Sequence, residues 1–592
     1  MCGILFILDK NQNNQADQSQ AEAALDAMAA RGPDARNLIV GENFIAGHLR
    51  LSIQDLDNAA NQPMRDEASH TILVFNGEIY NSPELRDELL TQGDVFKTNC
   101  DTEVLLKSLI RYGVEDALQK IRGMYAFVWF DTKSGTLVAA RDELGQKPLY
   151  WSEHAGQLVV ASSIPAVVSV THQTEPDEMS YALYFSTAGF TAEDRTFLKG
   201  VNCLPAGSIM QQSHKGPVVV HQRFEPLDLI DHCPIRMDSQ ERVEELGQCV
   251  QKSVQRHLIG DVPMGVLVSG GIDSTLIWSY ASRLNPRITP FTKISPGIEQ
   301  VPEKIVPKLL QEKAKSWVVV ETKPEEYCDG MASFIAWSGQ PSRWGGGPPM
   351  ARVAREAKIR GVKVLLGGDG ADEFLGGYFS HEKRFNNWGG DFFELGELIK
   401  STEPNEFYSN EEVAEWYQLQ REKRNAILQV LEHLPVPLER FKSASLLQDT
   451  AVFLQCCNLP HSDAWSMSES VELRNPMLDL DLLKLGLNSP VSDRCSPRKG
   501  ALRNLAKQEL GEWVDVPKEG TRNFSIRISN PEYWNIKKFE IQGIKHYPSR
   551  LNPRELYKLI NLELFHRMFV SGDGVRWDQL MTSAGQKKLL QS

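Results

Sequence analysis

The strongest constraint on this chain is a change of hydrophobic period near residue 225. Before it, short β-like runs follow one another: Ile4–Leu8, Phe44–Leu49, Thr71–Phe75, Ala126–Phe130, Thr136–Ala140, Gln157–Ala161 and Val218–Val220. Polar and glycine-bearing turns separate them, and helices are expected near 19–30 and 102–112. After it, apolar strands at 264–268, 288–294, 316–321 and 363–368 alternate with helical stretches, and from about 400 onward the pattern is mostly helical and amphipathic. The first texture predicts a strand-dominated α+β unit, the second a parallel sheet covered on both faces. The stretch 225–238 carries two prolines and breaks both periods, so the expected division is 1–225, a linker at 226–238, and 239–592.

Composition removes several classes. A net charge of −13 over 592 residues argues against a nonspecific nucleic-acid scaffold, which needs surplus Lys and Arg. No run approaches the roughly 20 apolar residues of a membrane helix, and the start MCGILFILDK is not expected to act as a secretory signal. Nine cysteines without CxxC spacing suggest neither a disulfide framework nor a zinc site, and a reducing cytoplasm is the expected location.

Two segments carry chemistry in the second half. In Val266–Thr275 an apolar strand runs into Ser269-Gly270-Gly271, and a helix is expected from near Asp273. Two glycines let backbone N–H groups turn toward an anion, and a helix N-terminus adds its positive end. Ser269, Ser274 and Thr275 add hydroxyl donors, while Asp273 makes sense beside phosphate only if it holds Mg²⁺. The plainer alternative is a glycine turn followed by helix caps. Lys363–Tyr378 is again a strand entering glycines, five of them within 367–378, now with Asp369, Asp372 and Glu373. In a doubly wound sheet both turns meet at the carboxyl edge, where Asp273 and Asp372 can share a metal and Asp369 can face the reacting group.

A third feature is Cys2. Removal of Met1 would leave an α-amine and a thiol on one residue, base and nucleophile together, since both titrate near 8. An inert buried cysteine is the alternative.

Read in order, Cys2-Gly-Ile, Arg31-Gly-Pro-Asp34, His48–Ile53, Phe75-Asn-Gly-Glu-Ile-Tyr-Asn81, Asp101-Thr-Glu-Val, Gly123–Phe127 and Arg141–Tyr150 resemble the N-terminal-nucleophile glutaminase of class II glutamine amidotransferases. Ser269–Ser274, Gly367–Tyr378, Asp463–Asp479 and Pro517-Lys-Glu-Gly520 resemble the ATP-pyrophosphatase half of asparagine synthetases. The resemblance implies an N-terminal-nucleophile hydrolase sandwich followed by an α/β parallel-sheet nucleotide-binding domain with a mostly helical C-terminal part. It implies a carbon–nitrogen ligase using glutamine and ATP as substrates with Mg²⁺.

By that resemblance Cys2 attacks the glutamine amide, Asn76 and Gly77 form the oxyanion hole, and Arg50, Glu78 and Asp101 hold the glutamine α-groups, with N-cap of the helix 102–112 as the alternative reading of Asp101. Ser269, Gly270, Gly271, Asp273, Ser274 and Gly368 would grip ATP, with backbone groups of Leu267 and Ile294 on adenine. Asp273 and Asp372 would hold Mg²⁺, and Lys518 would stabilise the phosphoryl transfer. Arg31 and Asp34 read as structural, and Asp463, Glu472 and Arg474 as a buried charge network. The implied partners are small molecules: glutamine, ATP and a carboxylate acceptor, with no nucleic acid and no membrane; a homodimer stays open. Many asparagine synthetases carry Glu where this chain has Asp369, and the glycines and Trp344 of 338–350 differ from the aspartate-associated pattern. Aspartate, a sugar uronic acid and other carboxylates all stay open as acceptor, and an eroded, non-catalytic homologue is disfavoured because the motifs are intact.

Overall fold

The computed structural model describes residues 2–10, 17–186, 192–213, 216–231, 238–294, 306–314, 316–342, 345–390, 414–511, 530–534, 539, 541, 553–572 and 577–582. The first 225 residues build two six-stranded antiparallel sheets. One runs, in spatial order, Asn202–Cys203, Tyr150–His154, Gln157–Ala161, Gly3–Asp9, Phe44–Arg50, Ala35–Val40; the other Val218–Gln222, Ser208–Ser213, Thr136–Arg141, Gly123–Asp131, Thr71–Ile79, Met64–Asp66. Side-chain alternation explains the layering. Ile4, Phe6 and Leu8 face the other sheet, against Ile72, Val74 and Val128. Leu5 and Ile7 point the opposite way, onto Ala21 and Leu25 of the helix Gln18–Ala27 and onto Val167 of the helix Ile164–Thr171. Leu73 and Phe75 of the second sheet meet Leu85 and Leu105 from Ser82–Thr91 and Asp101–Tyr112. The result is a helix–sheet–sheet–helix sandwich, with the strand that follows Cys2 at its buried centre.

The second half opens on the helix Ser239–His257, capped by Asp238, whose carboxylate accepts from Gln240 and Glu241 N–H. A five-stranded parallel sheet follows in the order Val318–Glu321, Thr289–Ile294, Met264–Leu267, Val364–Leu366, Glu472–Arg474. The last strand was not anticipated: three residues within a charged motif give no period to read. Ala35–Val40, Tyr150–His154 and Ser208–Ser213 were missed for a related reason, being half polar or short. Helices dominate thereafter, and Asp449–Asn458, which holds Cys456 and Cys457, is wound in the wide π form.

The two lobes share one interior. Leu51, Ile53 and Leu144 of the first pack in the same apolar cluster as Met264, Val266 and Met477 of the second. Among the described residues no helix is long and apolar enough to cross a membrane.

Candidate functional site

Cys2 sits at the entry of the central strand, buried, where Gly3 pairs with Leu49. Its N–H donates to Asn76 Oδ1 at 2.8 Å, which leaves Asn76 Nδ2 buried with no acceptor of its own. An uncommitted donor next to a nucleophile is what a developing oxyanion needs. Burial raises the Cys2 thiol above its usual range, so the sulfur needs a base to ionise at neutral pH. Gly77 follows Asn76 where the strand crosses its partner closely: a Cβ there would lie 2.1 Å from Met124 O, so only glycine fits.

Cys2, Arg50, Gly77, Glu78 and Asp101 line one small cavity with Gln54 and Thr102. The Arg50 guanidinium is already held by protein oxygens: Asp57 O and Asn61 Oδ1 at 2.8 Å, Gln54 O at 3.2 Å, and Asp55 O. The 54–61 loop must yield some of these before Arg50 can take a carboxylate in a bidentate grip. Asp101 is the first residue of its helix rather than the cap, which is Cys100; its carboxylate instead accepts Ile79 N–H at 2.9 Å. Burial pushes Asp101 up to about 6. Burial also pushes Glu78 up to about 8; Arg474, 3.0 Å away, pulls it down, and the nearby Glu472 adds to the rise. Gln54 Nε2 donates to the other Glu78 oxygen at 2.5 Å. Arg474 belongs to the second lobe, so the floor of this cavity is held from across the junction.

In the second lobe both glycine turns leave adjacent parallel strands and meet at the sheet's carboxyl edge. Ser269 N–H donates to Ser274 Oγ at 3.1 Å, Gly270 takes φ +82°, and Gly271 caps the helix Ile272–Leu284. Gly368 lies against Asp273 and Ser274: a Cβ on it would sit 3.4 Å from each. Leu267 and Ile294 end neighbouring strands at the same edge. Asp273 and Asp372 converge on one cation, the buried ammonium of Lys499, at 2.5 and 2.7 Å. Burial alone would lower Lys499; the two carboxylates carry it above its usual value. Asp273 Oδ1 is buried without a partner. Two carboxylates able to close on one positive charge, one with a spare oxygen, are donors of the kind a magnesium ion takes. Asp369 accepts from Ser462 Oγ at 2.7 Å, and burial raises its carboxyl. Lys518 and Trp344 lie outside the described residues.

Residues read as structural turn out to join the lobes. Arg31 Nε donates to Cys2 O at 2.9 Å, and its guanidinium pairs with Asp463 at 2.9 Å, both side chains almost fully buried. Asp463 also lies 3.8 Å from the buried Lys147. Asp34 pairs with Lys363 at 2.6 Å. Since Asp463 follows Ser462, a continuous series of contacts runs from Cys2 through Arg31, Asp463 and Ser462 to Asp369. Sequence reasoning missed Lys499, which sits in Ser496-Pro-Arg-Lys-Gly500 with no local pattern to mark it, and Ser462.

A strand-borne thiol at the second residue of an antiparallel sandwich, joined to a parallel sheet with two glycine turns at its carboxyl edge, defines a two-lobed protein of N-terminal-nucleophile and nucleotide-binding type. The glutamine amidotransferase domain family matches residues 1–224 and the asparagine synthase family residues 245–569, over half of the chain, which therefore belongs to the asparagine synthase family. It is 33% identical over 383 residues to asparagine synthetase [glutamine-hydrolyzing] 1 of Bacillus subtilis, covering 64% of this chain and 59% of that one. Identity is 30% over 410 residues to asparagine synthetase B of Escherichia coli, covering 65% and 66%. It is 28% over 408 residues to amidase chyE of Penicillium rubens, covering 64% and 59%. The matches thus span about three fifths to two thirds of these relatives' lengths.

Proposed function

We propose that the chain hydrolyses glutamine at Cys2 and passes the ammonia along the lobe junction to a carboxylate activated as an acyl-adenylate, releasing AMP and pyrophosphate. The observation that carries this reading is the contact series Cys2–Arg31–Asp463–Ser462–Asp369, which ties a nucleophile in one lobe to an acidic group at the phosphate-binding edge of the other. With Met1 removed, the Cys2 α-amine takes the thiol proton, the thiolate attacks the glutamine amide carbon, and Asn76 Nδ2 meets the negative oxygen. Arg50 and Asp101 position the α-carboxylate and α-ammonium, and Glu78 is braced by Arg474. Ammonia is a nucleophile only unprotonated, so an enclosed junction keeps it reactive.

At the second site Ser269, Gly270, Gly271, Ser274 and Gly368 receive the ATP phosphates, Leu267 and Ile294 flank adenine, and Lys518 is assigned the stabilisation of the reacting phosphorus on its motif. Asp273 and Asp372 would hold Mg²⁺, whose charge offsets that of the departing pyrophosphate. Lys499, freed from the two carboxylates, is within reach of the same phosphates. Asp369 faces the acceptor. The connecting segment 226–238 separates the glutaminase unit, 1–225, from the synthetase unit, 239–592.

Aspartate is the acceptor we favour. A second reading, another small carboxylate such as a uronic acid, is supported by the shorter Asp369 and by a relative named an amidase at comparable identity. ATP–pyrophosphate exchange across a panel of acids tests both: aspartate alone should support it, and exchange with another acid but not aspartate transfers the assignment. Cys2→Ala should lose glutamine use yet keep amide synthesis from added ammonium; equal loss of both contradicts the proposal.

A further inference from the structure

The chain that leads into the central strand of the second lobe also touches the 54–61 loop of the first. Ile259-Gly260-Asp261 lies between the helix Ser239–His257 and the strand Met264–Leu267. The Asp261 N–H donates to Ile53 O at 2.8 Å, and its carboxylate accepts the Asp55 N–H at 2.9 Å. A single second-lobe residue thus grips the first lobe's chain on both sides of Gln54. Gly260, at φ +145°, permits the close approach: a Cβ there would lie 3.0 Å from Ile53 Cγ2 and 2.9 Å from Met264 Cε.

The same stretch holds Arg50. Its Nη1 donates to Asp57 O and Asn61 Oδ1 and its Nη2 to Gln54 O and Asp55 O, so all four terminal N–H groups are spent on the loop. A carboxylate taken in a fork needs at least one of them back. The Gln54–Asp55 peptide is the shared element: its carbonyl accepts from Arg50 and its N–H donates to Asp261. The bond is trans, so those two groups point to opposite sides of one rigid plane, and Arg50 and Asp261 clamp the unit between them. Hydrogen bonds at both ends of a peptide polarise and strengthen each other. Asp55 itself stands at φ +51°, a left-handed backbone that a residue with a Cβ keeps only when its surroundings hold it.

We propose that Asp261 is a positioning residue for glutamine hydrolysis: acting through the Gln54–Asp55 peptide, it keeps Arg50 turned onto the loop and so sets how much glutamine the first site needs. The inference rests on the reading of the Cys2 cavity as the glutaminase site. The contact is a restraint. Swinging the peptide off Arg50 carries its N–H off Asp261, so the latch opens whenever Arg50 takes the glutamine α-carboxylate. A site whose binding-competent form is only partly populated binds its ligand more weakly by that fraction. Asp261 stands just before the strand that ends in the Ser269–Gly271 turn. Glutamine use in one lobe is thereby held in check by the chain that receives the nucleotide in the other.

Initial rates of glutamate release, measured on the full chain without ATP, read this in Asp261→Ala and Asp261→Asn. The alanine variant removes the acceptor and should lower the KM for glutamine roughly twofold to tenfold, the worth of one hydrogen bond. Its kcat should stay unchanged, because Cys2 and Asn76 are untouched. Asparagine keeps a neutral acceptor and should fall between alanine and the wild type. Hydrogen–deuterium exchange reads the latch itself: the stretch 53–61 should exchange faster in Asp261→Ala than in the wild type. Asp261 is exposed, so both variants should fold, and circular dichroism checks them. A KM that stays the same or rises, a kcat that falls, or exchange at the wild-type rate would overturn the proposal. No glutamate from the wild type would instead sink the reading of the Cys2 site, and this inference with it.

Discussion

Asp463→Asn probes the junction at its most buried point. Arg31 and Asp463 are 1% and 3% exposed at the side chain, 2.9 Å apart, with Lys147 3.8 Å away and 2% exposed. Asparagine keeps the shape but takes the ion-pair partner from Arg31 and the nearest carboxylate from Lys147, which then has only the more distant Glu472 and Asp142, and turns an N–H₂ toward donors. Breaking a buried pair by removing one partner costs about 3–5 kcal/mol. Arg31→Met should cost less, because Asp463 retains Lys147. A double-mutant cycle by urea unfolding separates the pair from its surroundings: the double variant should recover at least about 2 kcal/mol relative to the sum of the singles. Since Arg31 Nε also holds Cys2 O, the rate of glutamine hydrolysis should fall in Asp463→Asn although the substitution lies in the other lobe. Additivity within about 0.5 kcal/mol, or unchanged glutamine hydrolysis, would refute the reasoning.

Gly77→Ala should destabilise the first lobe by roughly 3 kcal/mol or more, because the new methyl meets Met124 O at 2.1 Å and neither backbone can retreat; a calorimetric scan reads it. Lys499→Met should cut ATP–pyrophosphate exchange by about a hundredfold while glutamine hydrolysis survives, since it removes the cation that Asp273 and Asp372 release toward the phosphates; comparing the two assays on one preparation decides it. His48 and His257 are held down to about 3 by burial, His48 against Phe75 O and His257 against the Tyr80 ring. Their folded-state values lie below the unfolded 6.5, so the unfolded chain binds the extra protons. Stability is therefore lost as pH falls from 6.5 toward 3, by about 2 kcal/mol per histidine at pH 5. Unfolding in urea at pH 7 and 5 should show a shallower loss in His257→Gln, and an equal loss would count against it.

Local patterns carried much of this. The strand runs at 4–8, 71–75 and 126–130 have the alternation a two-faced sheet imposes, and the glycine turns after 264–268 and 363–368 could only meet if both strands were parallel neighbours, as they are. Contacts between distant residues leave no such trace. Arg31 and Asp463 are 432 residues apart, and nothing in either neighbourhood shows that one neutralises the other. Arg474 reads as one charge in a motif until the fold sets it against Glu78. Lys499 stands before a helix on a left-handed backbone, φ +56°, a position decided by tertiary packing.

Oxygen-label transfer reaches the central claim most directly. The acid that supports pyrophosphate exchange is prepared with ¹⁸O in its carboxylate and turned over with glutamine, ATP and Mg²⁺, and the nucleotide is weighed by mass spectrometry. The account predicts AMP carrying one ¹⁸O, with glutamate formed in step. ADP, or AMP free of label beside labelled inorganic phosphate, would contradict it.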